Sequence, residues 1–215
     1  QGFWIDDLHI NRRSSNEIGL FGVVTNGQIT NVRMYDVTII GSTRVGAIAG
    51  EVTGNSTIST ITIVDSSVTG SITVGGIIGR SSSNGTHEYL AYSGTVSGVI
   101  HSNSTGQNIG GVIGKMQNNT VLSKSYFNGN ISGYRSVGGL VGTTSMNGVK
   151  IINSYSIGSV LGQQFISGIG SGSYISTNCF TSTVVSASTY GHSSFKALYD
   201  YGNYNSGNYY NSNLT

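Results

Sequence analysis

The side chains with chemical reach are few, and their spacing is the first thing to weigh. Asp6, Asp7 and His9 are the densest polar group, three possible metal ligands within four residues. Alternation along an extended strand sends Asp6 and Asp7 to opposite faces, so a solvated strand explains them better than a cation site. Asp36 and Asp65 each stand five residues before a recurrent glycine, Gly41 and Gly70, and therefore stack in adjacent repeats. Carboxylates directly opposite one another repel, which would favour a cation between them. Ser93 and Asn128 fall at the equivalent positions and are oxygen donors of the kind Ca²⁺ accepts. Two carboxylates exposed at a rim remain the simpler reading, and no metal or cofactor is assigned.

Nucleophilic catalysis has less to stand on. His87, His101 and His192 are isolated, and none sits beside a Ser or Cys in a recognisable nucleophile motif. A polysaccharide-active enzyme would gather charged groups on one face, whereas this chain disperses eight acidic residues along 215. No catalytic residue is assigned, and the chain is expected not to be an enzyme. Thr60-Ile-Thr62 is similar to the Thr arrays of ice-binding solenoids, but adjacent repeats lack it. Cys179, the single cysteine, excludes an internal disulfide framework and reads as a small buried hydrophobe. Asn-x-Ser/Thr acceptors occur at Asn55, Asn84, Asn103, Asn118, Asn130 and Asn213. In a chain this rich in Asn, Ser and Thr they carry little information alone, though a eukaryotic secretory pathway could glycosylate them.

The aromatics remain. Trp4 stands near one terminus, and Tyr199, Tyr201, Tyr204, Tyr209 and Tyr210 crowd the other. They could stack on sugar rings or pack against a neighbouring molecule, and the second is favoured because an ordered Asn/Gly/Tyr tail needs a surface to lie on.

What must position these residues is a repeat. Val45-Gly-Ala-Ile-Ala-Gly50, Val74-Gly-Gly-Ile-Ile-Gly79, Ile109-Gly-Gly-Val-Ile-Gly114 and Val137-Gly-Gly-Leu-Val-Gly142 are versions of one motif. Ile18-Gly-Leu-Phe-Gly22 is a shorter version and Ile166-Ser-Gly-Ile-Gly-Ser171 a decayed one. The closing positions step by 28, 29, 35, 28 and 29 residues. A second landmark, Gly41, Gly70, Gly98, Gly133 and Gly162, places the seven extra residues of the long repeat in one loop, residues 99–108. Fixed sides with one variable turn describe a coil.

Each repeat reads as three short strands: the Gly-rich landmark, an alternating segment such as Ile58–Ile63 or Val121–Phe127, and a short segment before the second glycine. No stretch has a capped 3.6-residue period, so helices should be nearly absent. The fold expected is all-β, a right-handed parallel β-solenoid of about six coils of 28–29 residues, with strands ~4.8 Å apart and a length of roughly 30 Å. Residues 1–17 form a lead-in or partial coil, residues 18–187 the solenoid, and residues 188–215 a Tyr/Asn-rich cap or assembly segment. Ile48, Ile77, Val112 and Leu140 should be nearest neighbours in consecutive layers. Tyr126, Tyr155 and Phe180 should form an aromatic ladder.

Composition excludes other classes. Gly is 33, Pro is 0, charged residues are 8% and net charge is +2. No basic stripe supports nucleic-acid binding, and no apolar run reaches the ~20 residues of a membrane-spanning helix. No signal peptide is visible, which makes Gln1 a processed terminus or an interior cut.

The Val137-Gly-Gly-Leu-Val-Gly142 landmark, with residues 148–162 reading GVKIINSYSIGSVLG, resembles the GLUG-motif repeats of bacterial and protist surface proteins. The opening Gly2-Phe-Trp-Ile-Asp-Asp-Leu-His-Ile-Asn11 looks like the lead-in of such arrays. The resemblance spans about residues 2–187. It implies an extracellular or cell-surface structural protein, adhesin-like, and carries over no catalytic residue. The expected function is a rigid solenoid that assembles head to tail with copies of itself into a surface filament or adhesin stalk. The alternative is a module binding glycan or host protein through residues 99–108 and the tail tyrosines.

Overall fold

A computed structural model describes residues 4–99, 106–145, 148–187, 195–196 and 207–210. Among them there is no helix, and every strand pairing is parallel. The chain is a β-solenoid of about six coils whose strands stack into three sheets. The first face stacks Thr43–Val45, Ile72–Gly75, Gln107–Gly110, Arg135–Gly138, Gln164–Ser167 and Phe195–Lys196. The second stacks Phe21–Thr25, Ala49–Gly54, Ile78–Ser83, Ile113–Gln117, Val141–Ser145 and Gly170–Gly172. The third, longest face begins with Ile5–Asp6 and His9–Asn11, continues through Gln28–Tyr35, Thr57–Gly70, Thr86–Gly98, Tyr126–Ser132, Tyr155–Gly162 and Phe180–Ala187, and ends with Tyr209–Tyr210.

The Gly-rich landmark proves to be a corner rather than a strand. In Val74-Gly-Gly-Ile-Ile-Gly79 the first face ends at Gly75 and the second begins at Ile78. The apolar residue between them turns inward. The Ile48 amide donates to the Ile77 carbonyl at 3.0 Å, Ile77 to Val112 at 3.0 Å, and Val112 to Leu140 at 2.9 Å, so these four are layer neighbours as the period requires. Close backbone approach explains the glycines. A Cβ at Gly79 would lie 2.6 Å from the Val45 amide nitrogen on the first face, and one at Gly111 only 2.3 Å from the Phe127 ring. The first two faces thus close on each other as a thin wedge, and the large core side chains fill the space toward the third.

Along the first and third faces, residues in the left-handed region kink the backbone in columns. One column on the first face is Glu17, Arg44, Thr73, Asn108, Ser136 and Phe165. On the third face Asn31, Thr60, Tyr89, Lys124, Asn153 and Asn178 form another, all with φ between 48° and 62° in these two columns. Each non-glycine residue held there costs roughly 1–2 kcal/mol. In the coil containing Thr73 and Tyr89, six fully buried side chains (Val74, Ile77, Ile78, Leu90, Tyr92 and Val96) each contribute roughly 1.5–3 kcal/mol, which outweighs that strain. The second and third expected strands run together as one long strand in Thr57–Gly70 and Thr86–Gly98.

The insertion sits where the period places it. One residue, Ser71, separates Gly70 from Ile72, whereas eight separate their partners Gly98 and Gln107. Gly106 resumes the stack, accepting from the Tyr134 amide at 2.6 Å.

Candidate functional site

His87 is fully buried on the inner side of the third face. Its Nδ1 accepts the Ile58 amide at 3.1 Å, so the neutral ring carries its proton on Nε2 and donates it toward Ser81 Oγ at 2.8 Å. Ser83 Oγ lies 3.2 Å from the same nitrogen, and Thr120 completes the cluster from the next coil. Burial holds the imidazole pKa down at about 4. The sequence reading kept His87 apart from any serine, and the structure brings two to it. The tautomer nevertheless runs the wrong way for catalysis, because a nitrogen that donates to Ser81 cannot take its proton. The signal was present in Ser81-x-Ser83, an alternation whose inward positions are polar, followed by an inward His87.

A second polar system links the first two faces. Arg44 pairs with Glu17 and approaches Glu51, with Nε 3.4 Å from Oε2, and Glu51 also holds Arg80, whose Nε donates to it at 2.9 Å. Glu51, Arg80 and Lys115 occupy one column of the second face. Burial, and then the Arg80 charge, press the Lys115 ammonium below its usual range. The 29-residue step from Glu51 to Arg80 made this pair legible, and the sequence reading missed it.

The expected oxygen column forms only in part. Asp7, Asp36 and Asp65 stack at kinked positions with φ of 51–53°. Asp65 has no counterpart in the next coil, because the register slips between Tyr92 and Gly94. Ser93 pairs with Asn128 but does not continue the carboxylate column. Gly94 takes φ +140° there, where a Cβ would meet the Ser66 carbonyl at 2.0 Å. Asp6 and Asp7 are both exposed rather than opposed, since the Asp7 kink breaks alternation. Among the described residues no three His, Cys, Asp or Glu side chains are grouped as a metal would require. The kink at Thr60 likewise removes it from register with Thr62. Cys179 is buried, its thiol 3.3 Å from the Ile151 carbonyl, and it continues a column of buried serines, Ser125 and Ser154.

The outward side of the third face carries the aromatics. Register places Arg33, Thr62, Ala91, Tyr126, Tyr155, Phe180 and Tyr209 in one column. Tyr126 and Tyr155 stack with centroids 5.1 Å apart and planes 5° from parallel. The expected column therefore exists in register and extends one position further, to Tyr209, with Tyr126 and Tyr155 as its stacked pair. At the other end Trp4, next to Ile5, lies opposite Arg33, whose guanidinium sits 6.0 Å from its ring centroid. Trp4 is 45% exposed and Tyr209 69%. Tyr210 follows in the last strand, whereas Tyr199, Tyr201 and Tyr204 fall outside the described residues.

On the same surface Thr38, Ser67, Thr95, Ser97 and Ser132 lie in the earlier coils with exposed Tyr35 and Tyr89, and Tyr155, Ile157, Leu161, Phe180 and Val184 stand exposed in the last two. Of the acceptor asparagines, Asn55 and Asn84 are exposed at turns, and Asn130 is exposed in a strand. Asn118 is half-buried and its amide donates to the Ser82 carbonyl at 2.8 Å. Asn103 and Asn213, like His101 and His192, fall outside the described residues. No family model, curated protein or solved structure matches the chain.

Proposed function

We propose that this chain is a non-catalytic structural protein of the cell exterior, a GLUG-like rigid solenoid that stacks head to tail into a filament or stalk. One observation carries the reading. Each sheet ends, at the Ile5–Asp6 side and at the Tyr209–Tyr210 side, on a strand with a hydrogen-bonded neighbour on one side only among the described residues. Such edges pair with another chain unless they are blocked. A contact that joins one end to the opposite end, without closing, makes a fibre. The inward protonation of the Ser81–His87 pair and the dispersal of the carboxylates support the absence of catalysis. Negative-stain images of the purified chain over a concentration series test the reading. Rods that lengthen with concentration are expected, and compact monodisperse particles throughout would overturn it.

A binding-module reading has one observation in its favour, the exposed apolar group Tyr155, Ile157, Leu161, Phe180 and Val184 on the third face. Glycan-array or partner-protein binding that persists in unassembled chain, and is lost on Ile157→Lys, would promote it over the filament.

A further inference from the structure

Resting on the head-to-tail reading, we propose that Tyr209 of one copy stacks on Trp4 of the next, so that a single outward column runs unbroken through the junction. The argument is one of register. Every described coil lies on its predecessor in parallel, and Trp4 and Tyr209 occupy the first and last described rungs of the same column. A second copy that continues the stack sets its Ile5 opposite Tyr210, which places its Trp4 directly above Tyr209.

Ring geometry then selects the occupant. Inside the column Tyr126 and Tyr155 lie face to face, so the ring faces between them are closed to a sugar. Tyr209 is the most exposed large apolar residue among those described, and Trp4, against Arg33, is also exposed. A further copy supplies both an aromatic face and a strand edge, two requirements a glycan cannot meet together. Phe21, in the first described strand of the second face, pairs with the fully buried Ala49 yet is itself exposed.

Trp4 is the single tryptophan, so its fluorescence reads this junction alone. Emission and acrylamide quenching are followed with sedimentation velocity over a concentration series, for wild type, Tyr209→Phe and Tyr209→Ala. As oligomers form, Trp4 emission should shift to the blue and quenching should fall. Tyr209→Ala should weaken association about tenfold, the scale of one lost aromatic pair with its buried area, while Tyr209→Phe keeps it. Circular dichroism matching wild type shows that each variant has folded. Oligomers whose Trp4 stays fully quenchable, or a folded Tyr209→Ala that assembles like wild type, would overturn this register and leave head-to-tail stacking standing. A chain that stays monomeric at every concentration would overturn both.

Discussion

At the scale of single residues, His87 shows how a group with catalytic potential is turned into a structural one. Its neutral form links three coils: it accepts from Ile58, donates toward Ser81 in its own coil, and meets Thr120 through Ser81. The folded pKa of about 4 lies below the unfolded 6.5, so between those values the unfolded chain binds more protons. The stability held by the neutral ring is therefore complete above pH 6.5 and is lost as pH falls toward and through 4. That loss amounts to ~3 kcal/mol. Urea midpoints at pH 7.5, 5.5 and 4.5 should fall in that order. His87→Leu should flatten much of the dependence and cost about 1–3 kcal/mol at pH 7.5, because the buried Ile58 amide loses its acceptor. A midpoint independent of pH over this range in the wild type would show that the ring is not held neutral.

At the scale of the element, the coil is the unit, and its perimeter can change at one corner without altering its sides. Removing residues 99–105 would leave Gly98 followed by Gly106 and Gln107, the same succession as Gly70, Ser71 and Ile72 in the coil below. Gly106 already occupies the place of Ser71 in the stack, between Ser71 and Tyr134. The shortened chain should fold with a Tm no lower than wild type, since cutting the connection from eight residues to one lowers its closure cost by up to about 2 kcal/mol. A loss of cooperative unfolding in a thermal melt would mean that the loop holds the coils together. This corner was fully legible because insertion length is arithmetic. The left-handed columns were not. Asn31 and Asn153 suit the conformation, but Arg44, Thr73, Tyr89 and Phe165 have no local preference for it and take it because the coils above and below hold the backbone there. The landmark was read as a strand for a related reason: apolar residues beside glycines look alike whether they line a strand or turn a corner, and only the Gly79–Val45 contact across the wedge decides it.

At the scale of the molecule, the core is uneven. Its central columns hold Ile61, Ile63, Leu90, Tyr92, Leu122 and Phe127, and Tyr92 stacks on Phe127 with centroids 6.0 Å apart. Toward the last coils the same columns carry Ser154, Ser156, Ser176 and Thr181. Each substitution of hydroxyl for hydrocarbon removes part of the transfer energy that holds a layer down. Amide hydrogen exchange should therefore be slowest at Ile61, Leu90 and Phe127 and faster by at least about tenfold at Ser156 and Thr181, a difference of ~1.4 kcal/mol in local opening. Uniform protection from end to end would mean that the solenoid unfolds as one body. The alternation of Val121–Phe127 announced the ladder and the stack, but this gradient was hidden, because a serine reads as outward-facing until the register is known.

Because every pairing is parallel, the rod is a vector, with unlike head and tail. In any fibre of such rods, growth at the two tips is chemically distinct. If Trp4 and Tyr209 meet at each junction, a copy altered only at Trp4 should collect at the front of a fibre, and one altered only at Tyr209 at the rear, each slowing growth at one tip alone.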